Sequence, residues 1–348
     1  MIKRISCFCL VLALILGSFN MKAAAGNDIY VNARCAIAMD AESKAVLFDK
    51  SSHDLVPMAS TTKIMTALVA IKYGNLDKII EVSQRSANIG GSTVGYKKGE
   101  MISTRELITG LMLRSGNDAA IALSEGIASS VDEFVKLMNE YGTQLGLVDT
   151  HFQSPHGLDS EQHYTTAYDL ALVTAKANEN KFFKQVVSSK GFDGKEFGFT
   201  RSYQNINKIL WLIPEADGVK TGYTGKAGKC LVTSVNVEGR NVVIVVLNCK
   251  ERWQETKKIN DYIVENYSYK KMFSVGETAA EVKLGRKSIR LVYSKDIIIP
   301  VMKDKEYRTV IIKPDTVDKN IKEGDFLGSI YIYSENRLIY SEPLKVIL

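Results

Sequence analysis

Histidine is scarce in this chain, four residues in 348, and cysteine is little commoner at five. His151, His156 and His163 cluster, but Pro155-His156-Gly157 has no ligand spaced to share a face with it, so structural roles are expected rather than zinc binding. No metal and no other cofactor is called for. No basic cluster with interleaved aromatics appears, so no nucleic-acid partner is expected. Repeats and low-complexity tracts are also missing. Past the first residues, no stretch is long and apolar enough to cross a bilayer.

The exception at the start has a targeting pattern. Lys3 and Arg4 precede the apolar run from Cys7 to Leu16, and Ala23-Ala24-Ala25 stands before Gly26. A charged segment, a short apolar core and small residues predict a signal peptide over 1–25, hence export. Its removal takes Lys3, Arg4 and Lys22, leaving 42 basic against 39 acidic residues, a net charge of +3. The remaining 323 residues are long for one core, and the pattern changes near residue 270. A catalytic domain over 26–270 and a β-rich domain over 275–348 are therefore predicted.

Cys35 to Met39 and Ala45 to Phe48 read as an opening hairpin. Ser103-Thr104-Arg105-Glu106 and Ser130-Val131-Asp132-Glu133 are capping boxes for helices ending near Leu113 and Leu145. Leu231 to Val237 and Val242 to Asn248 read as strands around a Gly239-Arg240 turn of type II′. That register sets Cys230 opposite Cys249, where a disulfide is geometrically open. The strand from Val242 to Leu247 is apolar on both faces and should be central. Glu251 to Tyr267 reads as an amphipathic helix covering the sheet. Beyond Val275, runs such as Ile297 to Val301, Arg308 to Ile312 and Leu327 to Ile332 alternate with turn residues. The pattern is α+β: an antiparallel sheet flanked by helices, then a small all-β domain.

Chemistry enters at Ser60-Thr61-Thr62-Lys63, where hydroxyl residues open an apolar helical run. Residues three apart share a helix face, so Lys63 reaches the Ser60 hydroxyl. A lysine whose pKa is depressed by burial and positive neighbours can take the serine proton, and no histidine is then required. The tetrad alone is a common accident, but it does not stand alone. Ser115-Gly116-Asn117 follows 55 residues after Ser60, and Lys220-Thr221-Gly222 lies about 100 further on.

The ordered set resembles the penicillin-recognising serine enzymes, whose motifs are S-x-x-K, S-x-N and K-T-G. The flanks sharpen the likeness: Pro57 to Thr66, Leu113 to Ala120, Ser154-Pro155-His156-Gly157-Leu158 and Asp217 to Gly222 resemble the low-molecular-weight D-alanyl-D-alanine carboxypeptidases. The resemblance covers nearly all of the chain after residue 25. It implies a serine β-lactamase/DD-peptidase-like catalytic domain with a helical subdomain, followed by a β-sandwich. It also implies peptidoglycan stem peptides as substrate and β-lactams as covalent inhibitors. Ser60 would be the nucleophile, Lys63 the general base and Ser115 the proton relay. Asn117 would bond the acyl side-chain amide or hold Lys63, while Lys220, Thr221 and Gly222 receive the terminal carboxylate. The Ser60 and Tyr223 backbone N–H groups would form the oxyanion hole. Arg201, Arg252 and the Tyr223 side chain are further candidates for the site's lining.

Three competing functions share these motifs. A class A β-lactamase would need a carboxylate for deacylation, usually as Glu-x-x-Leu-Asn, and no glutamate between the second and third motifs has that context. A β-lactam sensor without turnover would not need both lysines and Ser115 intact. An endopeptidase cutting crosslinks would share the whole active site and stays open. Related carboxypeptidases often end in an amphipathic helix that holds them to a membrane. This chain stops at Ser341 to Leu348, where the β domain finishes, so membrane association is not expected, and a soluble exported enzyme or a truncated tail is.

Overall fold

Five antiparallel strands form the central sheet: β1 (Cys35–Asp40), β2 (Val46–Lys50), β7 (Ala216–Thr224), β8 (Gly228–Val237) and β9 (Arg240–Leu247), in the order β2-β1-β9-β8-β7. This computed structural model describes residues 29–317 and 320–348. The predicted signal peptide lies outside the described residues. Residues Val31–Leu348 form one compact unit. Among the described residues no helix is long and apolar enough to cross a membrane.

Alternation along the strands divides the sheet into two buried faces. Cys35, Ile37 and Met39 of β1, Cys230 and Val232 of β8, and Val243, Val245 and Leu247 of β9 join one core. That core is completed by apolar residues of the helices Lys63–Tyr73, Thr104–Leu113, Asn117–Ala128 and Ala167–Asn178. The helix Arg252–Asn266 packs on β8 and β9 through buried Ile259 and Ile263, so β9 is apolar on both faces and central, as its sequence implies. Two short ribbons border the helices, β3 (Ile79–Glu81) with β4 (Met101–Ser103) and β5 (Gly191–Phe192) with β6 (Tyr203–Gln204).

Both predicted capping serines work. Ser103 accepts from the Glu106 N–H at 3.2 Å and Ser130 from the Glu133 N–H at 3.1 Å. Glu106 does not complete its box. Its buried carboxylate accepts from the Thr200 backbone N–H at 3.0 Å, the Thr200 hydroxyl at 2.6 Å and the Tyr203 hydroxyl at 2.7 Å.

The β8–β9 turn corrects the predicted register. Val237 pairs with Arg240, so the turn residues are Glu238 and Gly239, both at positive φ (50° and 79°), the type I′ arrangement. The Gly239 N–H donates to Asn236 Oδ1 at 3.0 Å and closes the turn. Cys230 then pairs with Gly222 on β7, while Cys249 lies past the end of β9, its N–H donating to the Lys229 carbonyl. Cys35, Cys230 and Cys249 are buried free thiols, pushed by burial up to about 11, 11 and 12.

A second core forms the C-terminal part, where β11 (Thr278–Leu284), β12 (Lys287–Tyr293), β14 (Tyr307–Ile312), β15 (Phe326–Ser334) and β16 (Arg337–Ile347) make a sheet ordered β11-β12-β16-β15-β14. Ile289, Leu291, Ile330, Ile332, Leu344 and Val346 pack there against β13 (Ile297–Met302), which pairs with β10 (Tyr267–Phe273). β10 ties this part to the first sheet: the Tyr267 hydroxyl donates to the Leu47 carbonyl at 2.8 Å and the Tyr269 hydroxyl to Asp40 at 2.7 Å.

Candidate active site

Ser60 lies in a 3-10 turn, Ala59–Thr62, that runs directly into the helix Lys63–Tyr73. No side chain caps either segment. The neighbouring hydroxyls turn inward instead, Thr61 donating to the Met58 carbonyl at 2.5 Å and Thr62 to the Ala59 carbonyl at 2.7 Å. The helix is apolar enough to be buried from Lys63 through Ala70, so it carries Lys63 into the interior, where it has no exposed surface. Ala59 takes φ 50°, a left-handed backbone rare for a residue with a Cβ, directly before Ser60.

Lys63 Nζ meets three oxygens: Ser60 Oγ at 2.9 Å, Asn117 Oδ1 at 2.8 Å and the His156 carbonyl at 2.7 Å. Two of these can only accept. A neutral amine has two N–H bonds for them and keeps its lone pair for the serine hydroxyl; an ammonium donates to all three. Either charge state is therefore satisfied in place. Burial, and then the positive charge of Lys220, hold the Lys63 pKa well below its usual range, with Asp118 opposing.

The Asn117 amide is fixed at both ends, since its Nδ2 donates to the Gly90 carbonyl at 2.7 Å. Its own N–H donates to the Ser92 carbonyl at 2.7 Å. Asp118 anchors the same loop: its carboxylate accepts from the backbone N–H groups of Val94, Gly95 and Tyr96 at 3.0, 2.8 and 3.1 Å. Ser115, buried and at φ 60°, makes the turn between the helices ending at Leu113 and starting at Asn117. The Ser-Pro-His-Gly-Leu segment docks against the helix Lys63–Tyr73, where the Thr66 hydroxyl donates to the Pro155 carbonyl at 2.6 Å.

Lys220, Thr221 and Gly222 lie on β7, the edge strand beside the Ser60 turn. A Cβ on Gly222 would stand 3.2 Å from the Ser60 nitrogen and 3.1 Å from Ala59 Cβ, so a larger residue here would push the two segments apart by a few tenths of an ångström. Lys220 is 1% exposed, donates to the Thr221 carbonyl at 2.9 Å, and is pushed down to about 7 by burial and the charge of Arg252. Thr221 is buried, and Tyr223 is 68% exposed. Arg252 donates to the carbonyls of Gly222 and Cys230 at 2.8 and 3.1 Å, which ties the helix it starts to this strand.

Arg201 is committed elsewhere. It pairs with Glu100 and lies over the Tyr96 ring at 4.6 Å, bracing the loop that Asp118 anchors. Among the described residues, no three His, Cys, Asp or Glu side chains gather to hold a metal. The sequence reading missed His163 as a site residue: its Nε2 lies 2.8 Å from the Thr62 hydroxyl, inside the Ser60 turn. No spacing rule joins positions 101 residues apart. The Ser154–Leu158 match pointed to the neighbourhood but not to this contact.

Comparison with known proteins identifies the family. The family model described as D-alanyl-D-alanine carboxypeptidase matches residues 20–251, and that of the penicillin-binding protein 5 C-terminal domain matches 267–347. The D-alanyl-D-alanine carboxypeptidase DacF of Bacillus subtilis is 31% identical over 341 residues, covering 91% of this chain and 86% of the relative. DacC of Escherichia coli is 36% identical over 245 residues, 66% of this chain and 60% of its own. The structure of penicillin binding protein 5 from Haemophilus influenzae superposes with a TM-score of 0.81 at 27% identity, covering 93% of this chain and 98% of that one. With a family model matching well over half of its length, the chain belongs to the D-alanyl-D-alanine carboxypeptidases of the penicillin-binding protein family.

Proposed function

We propose that this protein is a serine-type D-alanyl-D-alanine carboxypeptidase that removes the terminal D-alanine from peptidoglycan stem peptides outside the cytoplasm, with residues 26–270 as the catalytic part and 275–348 as a β-rich appendage. The observation that carries the reading is the buried Lys63 Nζ, 2.9 Å from Ser60 Oγ and within reach of two carbonyl oxygens, which in the neutral amine take both N–H bonds and leave the lone pair for the Ser60 hydroxyl. Neutral Lys63 takes the Ser60 proton as Oγ attacks the penultimate D-alanine carbonyl. The negative charge on that oxygen is met by the backbone N–H groups of Ser60 and Tyr223, on the two segments that Gly222 brings together.

Lys220 and Thr221 receive the free carboxylate of the last D-alanine. One of three ammonium donors of Lys220 goes to the Thr221 carbonyl, and an incoming carboxylate restores the full charge that burial disfavours. The proton held by Lys63 passes through the Ser115 hydroxyl to the D-alanine nitrogen as the C–N bond breaks. Asn117 keeps Lys63 aligned during the transfer. Water then attacks the acyl-enzyme with Lys63 again the base, and Ser60 is regenerated. A β-lactam enters the same path, but its leaving group stays attached and the acyl-enzyme persists.

Incubation with a pentapeptide ending in D-Ala-D-Ala tests the reading. Free D-alanine accumulates with the wild type and not with Ser60→Ala. Release by Ser60→Ala at the wild-type rate rules the assignment out.

A further inference from the structure

The His163 side chain is 3% exposed and bonds Thr62 of the first catalytic motif, and its bonding is fully directed. Its Nδ1 accepts from the Gln153 backbone N–H at 2.9 Å. A backbone N–H has no other role than donor, so the ring proton sits on Nε2. Nε2–H therefore donates to the Thr62 hydroxyl at 2.8 Å, and the Thr62 proton is directed to the Ala59 carbonyl at 2.7 Å. The chain of donors runs one way, from Gln153 through His163 and Thr62 to Ala59.

Its end point is not an ordinary carbonyl. The Ala59 C=O and the Ser60 N–H belong to one planar peptide unit, so holding the oxygen fixes where the N–H points. The unit is held in an unfavourable backbone state, φ 50° at Ala59, which needs support from its surroundings. Gly157 closes the other side: a Cβ there would stand 2.0 Å from the Ala59 oxygen and 2.6 Å from Thr62 Oγ1. Gly222 of β7 packs close to the Ser60 nitrogen, where a Cβ would stand 3.2 Å away. Hydrogen bonds in sequence also polarise one another, so a bonded Ala59 carbonyl makes the Ser60 N–H the stronger donor.

We propose that His163 is a positioning residue that, through Thr62, aims the Ser60 backbone N–H into the oxyanion hole. The inference rests on Ser60 being the acylated nucleophile as described above. His163 touches no reacting atom. Its effect appears in the step that develops charge on the carbonyl oxygen and not in ground-state binding. Burial keeps the ring neutral, which the Nδ1 acceptor role requires; His151 and Lys63 press in the same direction and Asp159 opposes. His156, also kept neutral by burial, presents only its backbone carbonyl to Lys63.

The test is a double-mutant cycle on the full chain, read by the rate constant of acylation by benzylpenicillin and by kcat and KM for D-Ala-D-Ala peptide hydrolysis. Thr62→Val removes the hydroxyl with little change of shape, and Thr62→Ser keeps it. His163→Leu removes the donor, and His163→Gln keeps an N–H near the Nε2 position. Thr62→Val and His163→Leu are each expected to slow acylation and lower kcat about tenfold or more, below the full loss of an oxyanion donor, with KM within about threefold. Thr62→Ser and His163→Gln recover most of the rate. In the double variant the second change costs little, because the chain is already cut.

Equal rates in folded Thr62→Val and wild type overturn the proposal, as does a rise in KM with kcat unchanged or full additivity in the double variant. Should His163→Leu fail to fold, the Thr62 pair decides alone. A wild type that benzylpenicillin does not label on Ser60 overturns the underlying assignment instead, whereas a labelled wild type with unaffected variants removes only the role of His163.

Discussion

At the scale of single residues, the site is built around one proton. The base role proposed for Lys63 accounts for its burial, since an isolated buried ammonium is disfavoured and the nearby Lys220 adds repulsion. Lys63→Gln keeps polar contacts but has no basic lone pair, and acylation by benzylpenicillin should slow about 10²–10⁴-fold with the fold intact by circular dichroism. Lys220 makes a second, pH-dependent prediction. Burial and the charge of Arg252 push it down to about 7, so the free enzyme loses the charge proposed to bind the carboxylate as pH rises through that value. KM for the peptide should therefore climb on the alkaline side. Lys220→Arg, which does not titrate there, should flatten that limb in a pH profile of kcat/KM, whatever its effect on the rate at neutral pH. An unchanged alkaline limb would assign the titration elsewhere. These residues were legible in the sequence because their chemistry is local: Ser60 and Lys63 are one helical step apart, and each motif keeps its partners within three positions. His163 was not legible, because its contact with Thr62 depends on how a loop 101 residues away docks on the turn.

At the scale of elements, the strands and helices around the site followed from periodicity and capping, while the β8–β9 register did not. The predicted and observed pairings differ by two residues, a slide that keeps every side chain on its own face, so the alternation along β8 and β9 cannot tell the two registers apart. The turn decides, and it decides through Glu238 accepting φ 50°, which the Asn236 side chain supports by bonding the Gly239 N–H. Glu106 illustrates the same limit. Its sequence context is a capping box, but its carboxylate is drawn to Thr200 and Tyr203 by tertiary packing. The docking of the 155–157 segment on the Ser60 turn gives a sharp test. Gly157→Ala must place a Cβ 2.0 Å from the Ala59 carbonyl oxygen at φ 85°, so backbone has to move. The variant should lose about 1–3 kcal/mol in urea unfolding and acylate more slowly, because the displaced unit includes the Ser60 N–H. Wild-type stability and rate together would show that the segment is not held as described.

At the scale of the whole molecule, two cores share one compact unit from Val31, joined through β10 by Tyr267 and Tyr269. The folded state keeps His156 and His163 neutral down to about 4, against 6.5 for the free side chain. Between those values the unfolded chain binds more protons than the folded one, so stability is complete above about 6.5 and is lost as pH falls towards 4. The melting temperature should drop across this window, and less steeply in His163→Gln, which has nothing to protonate there; an identical slope would show that His163 does not contribute.

The most direct test of the whole description is the site of the covalent adduct. After brief exposure to benzylpenicillin, intact mass should rise by one penicilloyl group, fragmentation should place it on Ser60, and the same protein without antibiotic should release one D-alanine per stem peptide. An adduct on any other residue, or none with a folded and hydrolytically active protein, would contradict a mechanism in which Lys63 activates Ser60.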